Sequence, residues 1–459
     1  MVIQFMRRYN DNPTNTYIKA FYNPMVEAPF PAVTVCPLTP IPLHRRLAIF
    51  DGITVPENIS RHAVMNILKY GNYITLPYAT KQYKEIETLK RILEANHWSL
   101  ADFLKLLKPC EDVMEGCWWS SERIDCSESI KISYTSYGLC CSFNYLLEDY
   151  VGREKGQPEP KPLTSVDYGR RSGLKLVIKK DLFAFDNDNV EEANEFTNTV
   201  SSSDGIMVLL HHSMDFPGLN TNAYIVQKNT ELEVGIKPEL IKKPEELYHR
   251  NKANEVVAVC IANDKNTLEY FPVYRYSNCY ANCRVRAMIK LCGCLPFIYS
   301  HIAKFHRIDH CETDGLACIQ MNSKRISIVR DVYNNNFTCS CRTPCDDVIY
   351  EGYPNSIALI KPELSASYKN VTVNSAMLRV FMQSQIYQIT ETLPAADEVY
   401  LLASIGGIFS LFLGCSFLSL VEILYFLGLA CRAVFSRRGS GSPVRKKRLA
   451  HDNFANTRP

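Results

Sequence analysis

The stretch "NCYANCRVRAMIKLCGC", Asn278 to Cys294, sets four cysteines in a run with helical apolar spacing. Cys279 and Cys283 stand at i and i+4, so they share one face. A helix with half-cystines on one face needs a covalent partner running beside it, and "CSCRTPC", Cys339 to Cys345, can supply one. Ten cysteines fall between Cys260 and Cys345. Cys292-x-Cys294 and Cys339-x-Cys341-x3-Cys345 also have spacings that suit a zinc cluster in a cytosolic protein. The compartment therefore decides the fold.

The other end of the chain speaks to compartment. From Tyr400 to Cys431 the only charged residue is Glu422. Roughly 30 residues of helix would measure about 45 Å, against a hydrocarbon core of about 30 Å. Such a run can span a bilayer with tilt or an internal break. A basic cluster follows at once: Arg432, Arg437, Arg438, Arg445, Lys446, Lys447 and Arg448. Basic flanks stay on the cytoplasmic side, which places the C-terminus inside and everything before Tyr400 outside. Sixteen of the eighteen cysteines, Cys36 to Cys345, then lie outside, where an even number reads as a disulfide framework. Cys415 and Cys431 fall in the membrane run.

The bulk numbers fit this division. With 459 residues, 46% hydrophobic and 22% charged, the chain can bury a substantial core, and a net charge of +3 gives no field that argues for nucleic acid. An outside domain ahead of a C-terminal span needs a signal peptide or an earlier membrane helix. The start, "MVIQFMRRYNDNP", offers only residues 1–6 as the outer end of a lost first helix, so the sequence is expected to be a fragment of a longer protein.

The outer region reads as α+β. Strands are expected at "FPAVTVC" (Phe30–Cys36), "GLCCSFNY" (Gly138–Tyr145), "GLKLVIKK" (Gly173–Lys180) and "GIMVLLHH" (Gly205–His212). Helices are expected at "KEIETLKRILEAN" and "SLADFLKLL", the second with a capping box of Ser99 and Asp102. No phosphate-binding glycine loop, nucleophile elbow, H-E-x-x-H or dinucleotide pattern occurs, so catalysis has no anchor and no resident cofactor or metal is expected. His211 and His212 read as strand-end histidines rather than ligands, and Asp346, Asp347, Glu191 and Glu192 as solvated loop charges. Sequons at Asn58, Asn336 and Asn370 are glycosylation candidates, in a number that chance alone supplies.

The membrane run departs from what anchoring requires. Gly406, Gly407, Ser410, Gly414, Cys415, Ser416 and Ser419 place small residues along it, which lets helices approach closely. Gly414 can let a helix unwind, and unwound backbone at membrane depth is tolerated only inside protein or around a watery cavity. Carbonyls freed there could replace an ion's water. Glu422 would attract cations from a shared lumen.

Several ordered stretches together resemble the degenerin/epithelial sodium channel superfamily, most like its insect pickpocket branch. They are "FPAVTVC", "GLCCSFN", "GIMVLLHHSMDFP", "YSNCYANCRVRAMIKLCGCLPF", "CSCRTPCDDVIY" and "GGIFSLFLGCSFLSLVEILYF". The resemblance implies a trimeric, amiloride-sensitive sodium channel of the plasma membrane, homomeric or heteromeric, gated by an unknown extracellular ligand. Its outer domain would be hand-like, a β core with helical finger and thumb. Residues 7–396 would form that domain, with 260–345 as the thumb region. Residues 397–431 would be the second transmembrane helix and 432–459 a basic cytosolic tail.

By the same resemblance Gly414, Cys415 and Ser416 would be the selectivity filter, Ala403 the small-residue gating position, Gly406 and Gly407 the paired glycines, and Glu422 the inner carboxylate. Cys260 would pair with Cys345, Cys279 with Cys341, Cys283 with Cys339, Cys292 with Cys318, and Cys294 with Cys311. Cys36 would join Cys140 and Cys110 would join Cys117, leaving Cys126 with Cys141 by elimination. Three departures stand out. Pro37 replaces a more usual Asn, Ser404 replaces an acid that Asp397 or Glu398 would have to supply, and the first membrane helix with its His-Gly motif is missing. If the mature protein starts at Met1, it is expected not to conduct alone. The competing reading is a non-conducting cysteine-rich receptor or modulatory subunit on a single anchor.

Overall fold

The computed structural model describes residues 14–37, 41–74, 76, 83–107, 110, 113–151, 153, 158–179, 182, 205–218, 221–245, 247–250, 255–262, 265, 267–328, 339, 341–359, 375–394, 398–414 and 417–439. The chain divides into a large unit, Thr16–Leu393, and a second unit that carries the C-terminal helices.

Seventeen strands are described: β1 Thr14–Pro24, β2 Ala32–Pro37, β3 Met114–Trp119, β4 Glu122–Ile124, β5 Ile130–Thr135, β6 Gly138–Phe143, β7 Leu174–Ile178, β8 Ile206–His211, β9 Asn222–Val226, β10 Thr230–Lys242, β11 Tyr248–Arg250, β12 Val256–Ala258, β13 Cys260–Ile261, β14 Thr343–Pro344, β15 Asp346–Ala358, β16 Ala376–Met382 and β17 Ile386–Pro394. An eight-stranded sheet runs β1-β17-β10-β16-β7-β3-β4, with β15 along the other edge of β10. A five-stranded sheet runs β5-β6-β2-β8-β9, and β11-β12 and β13-β14 form small pairs. The short apolar runs of β6, β2 and β8 occupy the middle of the five-stranded sheet, which is why they read as near-continuous hydrophobic segments. Val33, Val35 and Phe143 from this sheet meet Leu174, Leu176, Val234 and Val380 from the other in one apolar core.

Beside the sheets lie α1 Leu43–Asp51, α2 Arg61–Ile74, α3 Tyr83–Asn96, α4 Leu100–Leu106, α5 Tyr276–Cys292, α6 Ser300–His306, α7 Thr313–Met321 and α8 Ser323–Ile328. Ser99 caps α4, and its side chain and the Asp102 carboxylate exchange hydrogen bonds with each other's backbone N–H. Leu89 and Ile92 of α3, Phe103 of α4, Val285 and Met288 of α5 and Ile319 of α7 share a second apolar core. Helices α3, α4, α5 and α7 are thus one packed body. Lys90 of α3 and Asp314 of α7 add an exposed ion pair at 3.0 Å.

Eight disulfides staple the large unit. Cys279 joins Cys341 and Cys283 joins Cys339, so the two half-cystines on one face of α5 hold the returning segment. Cys260–Cys345, Cys292–Cys318, Cys294–Cys311 and Cys36–Cys140 are also bonded. The zinc reading of the C-x-C spacings fails because these sulfurs are consumed in bridges. Gly293 ends α5 at φ 73°, a left-handed turn that separates Cys292 and Cys294 and sends them to different partners.

Two expected pairings are corrected. Cys110 joins Cys141, not Cys117, and Cys117 joins Cys126. The reason is local geometry: β3 pairs antiparallel with β4, setting Cys117 opposite Ile124, and Cys126 follows two residues later. Cys140 and Cys141 alternate across β6, so one reaches Cys36 and the other Cys110.

The second unit carries α9 Glu398–Leu413 and α10 Phe417–Gly439. Among the described residues no helix is long and apolar enough to cross a membrane. The expected span of 397–431 is divided at Gly414, which leaves α9 with 16 residues, while α10 runs on into Arg432 and Arg437.

Candidate functional site

The C-terminal helices present apolar side chains on every side. Leu402, Leu411 and Leu418 are 74%, 80% and 72% exposed, and Val399, Ile423, Leu424, Tyr425 and Phe426 are exposed with them. A surface of this extent is foreign to a soluble monomer and marks contact with lipid or with other chains. Ala403, Gly406 and Gly407 lie on α9 and Glu422 on α10. Among the described residues, a Cβ added at Gly406, Gly407 or Gly414 would meet nothing within 4 Å, so these glycines leave room for a neighbour.

Gly414 is the break itself. Its φ is 63°, in the left-handed region that glycine enters without a Cβ penalty. Cys415 and Ser416 lie outside the described residues, as do Asp397, Asn336, Asn370, Glu191, Glu192, residues 1–6 and the tail from 440 onward. Asn58 stands exposed in a turn.

In the large unit the structure assembles a charged cluster that the sequence did not announce. Arg275, the residue before α5, is 7% exposed. Its Nε donates to Asp215 Oδ1 at 2.7 Å, and its Nη2 lies 2.7 Å from Asp347 Oδ1. These three residues join the loop after β8, the start of α5 and the start of β15. Asp347 is therefore ion-paired and largely buried, not a solvated loop charge. Burial pushes the Asp215 carboxyl up, yet it lies below the usual range, held there chiefly by the charge and the hydrogen bond of the Arg275 guanidinium. Burial wins at Asp347, whose carboxyl stays raised despite Arg275. A cavity of about 290 Å³ adjoins the cluster, lined by His212, Asp215, Arg275, Tyr276, Tyr280 and Asp347 among others.

The two histidines of the "HHSMDFP" run are internal hydrogen-bonding groups. His211 Nε2 lies 2.8 Å from Thr34 Oγ1 and its Nδ1 2.9 Å from the His212 carbonyl. His212 Nδ1 accepts from the Met214 N–H at 3.2 Å. Burial, helped by the Arg275 charge, pushes His212 down to about 3, and burial also lowers His211, so both are neutral imidazoles. Asn278, wholly buried, accepts from Phe216 N–H and donates to the Met214 carbonyl, locking the same loop to α5. A signal for the cluster was present in the Asp of "HHSMDFP" and the Arg before "YSNC". It was unreadable without the pairing of β10 with β15 that brings Asp347 to them.

The family model described as amiloride-sensitive sodium channel matches residues 1–426. The chain belongs to that family. Among its relatives, the sodium channel protein Nach of Drosophila melanogaster is 25% identical over 450 residues, covering 94% of this chain and 79% of that protein. Pickpocket protein 28 of the same fly is 23% identical, covering 90% of this chain and 70% of that protein. Human acid-sensing ion channel 2 is more distant, at 21% identity, with coverage of 87% and 72%. The amiloride-sensitive sodium channel family is one of ion channels, not of enzymes. Its channels are plasma-membrane proteins with a large extracellular domain, and members form complexes with related subunits.

Proposed function

We propose that this chain is a subunit of a trimeric, amiloride-sensitive-type sodium channel, gated through its disulfide-rich outer domain and with its C-terminus in the cytosol. The observation that carries the reading is the left-handed break at Gly414 between two apolar helices, in a member of a sodium channel family. Such a break frees backbone carbonyls from helical hydrogen bonds. Non-helical backbone at membrane depth belongs where protein or water can satisfy it, and a ring of three breaks around one axis provides such a place.

A helix of 16 residues is about 24 Å long, short of a hydrocarbon core of about 30 Å. On this reading α9 and the apolar part of α10 cross the bilayer together, with Gly414, Cys415 and Ser416 at the joint as the filter. Ala403 is the gating position, where a small side chain allows closure. Gly406 and Gly407 are close-packing points between helices, and Glu422 is a carboxylate near the inner mouth that draws cations. Arg432 and the basic residues after it stay in the cytosol by the positive-inside rule.

The direct test records sodium current from cells expressing the chain alone and together with a related subunit, with and without amiloride. An amiloride-blocked inward sodium current is expected on expression with the related subunit. Protein present at the cell surface with no sodium current in either case would refute the reading.

A further inference from the structure

The bridges Cys279–Cys341 and Cys283–Cys339 are separate bonds, yet their four sulfurs all lie within 4.8 Å of one another. The Sγ of Cys339 is 3.5 Å from the Sγ of Cys341, an atom of the other bridge. Cys283, Cys339 and Cys341 are half-buried, whereas Cys279 is buried. A thiolate released at Cys339 would therefore begin in contact with a sulfur it can attack, while a small thiol can approach the pair from solvent.

Two features of the surroundings favour that chemistry. Arg286 and Lys290 follow Cys279 and Cys283 along the same face of α5, Arg286 paired with Glu269 at 3.6 Å, and Arg342 follows Cys341 directly. Cationic side chains beside a bridge stabilise thiolates and attract an anionic thiol. Cys279 sits in the first turn of this 17-residue helix, where the partial positive charge of the helix N-terminus favours a departing thiolate.

We propose that this pair of bridges is a modification site for a small anionic thiol of the glutathione class, working as a relay. The incoming thiolate bonds to Sγ of Cys283 as the Cys283–Cys339 bond breaks, leaving the electron pair on Cys339. That thiolate bonds to Sγ of Cys341, the Cys279–Cys341 bond breaks, and Cys279 leaves as a thiolate. Two S–S bonds and one thiolate stand on each side of the reaction, so no further oxidant or reductant enters. The product has glutathione on Cys283, a Cys339–Cys341 bond and a free Cys279. A single thiol thereby removes both cross-links between α5 and the returning segment, while Cys260–Cys345 stays closed.

The test treats the purified full chain with limiting reduced glutathione, alkylates it, and maps its peptides without reduction. The expected result is glutathione on Cys283 matched one for one by alkylation of Cys279, with an internal bridge in the peptide holding Cys339 and Cys341. The Cys279→Ser, Cys341→Ser double variant removes the relay's target, and there the same treatment should leave Cys339 open to alkylation. Alkylation of Cys339 in the native chain, prior opening of another bridge, or no addition of glutathione would each overturn the proposal. The readout is covalent and does not depend on whether the chain conducts.

Discussion

Arg275 holds Asp347 at 2.7 Å, and Asp347 stands in register with Ile241 of β10. Ile241 is in turn in register with Thr390 of β17, the last strand before the C-terminal helices in sequence. The buried guanidinium is thus tied to one row of the sheet that runs from β15 through β10 to β17. Removing Arg275 would leave Asp215 and Asp347 facing each other without a cation, a loss that costs about 3–5 kcal/mol for a buried pair. Arg275→Met is expected to lower the denaturation midpoint of the outer domain by a large step. Asp347→Asn should lower it far less, because burial already disfavours that charge.

His301 predicts an acid-sensitive core. Both of its ring nitrogens are buried without a hydrogen-bond partner among the described residues, and the ring packs on Tyr134 and Phe216. Burial pushes its pKa down to about 4. The unfolded chain takes up this proton near pH 6.5, and the folded protein resists it to about 4. Its contribution is therefore whole above about pH 6.5 and is lost as pH falls toward 4. Denaturation measured across this window should show the loss, of roughly 3 kcal/mol in total. His301→Phe should remove most of that slope.

Glu148 acts with the opposite sign. Burial raises its carboxyl to about 8, although the Tyr134 N–H donates to it at 2.9 Å. The unfolded chain ionises this group above about 4.5 while the folded one keeps it neutral, so its contribution is lost as pH rises toward 8. Glu148→Gln keeps the acceptor without the proton. The variant should gain stability over the native protein at pH 8 and match it near pH 4.

Much of this architecture is legible in the sequence for a physical reason. Strands β2, β6, β7 and β8 lie at sheet centres or against the apolar core, so their side chains form unbroken apolar runs. Cys279 and Cys283 announce a helix with a cross-linked face because the i, i+4 spacing itself sets the geometry. Cys110, Cys117, Cys126 and Cys141 were misread because their partners depend on a hairpin turn and on which face of β6 each points to. The Arg275 cluster was missed because its three members are far apart in sequence and meet only through long-range strand pairing. A charge in a short polar run looks solvated until its partner is known.

Ala403 yields a prediction for gating. On the proposed reading a bulky side chain here props the helices apart, so Ala403→Val or Ala403→Phe should raise steady current several-fold over the native channel. Current measured at matched surface expression decides it. Unchanged steady current would remove Ala403 from the gate.

The central claim is that sodium passes a ring built at Gly414, Cys415 and Ser416. Its most direct measurement is the sodium-to-potassium permeability ratio from reversal potentials, for the native channel and for Gly414→Ala and Ser416→Ala at matched surface expression. The account predicts a native preference for sodium that falls several-fold in both variants. A ratio that stays at the native value while current still flows would contradict it.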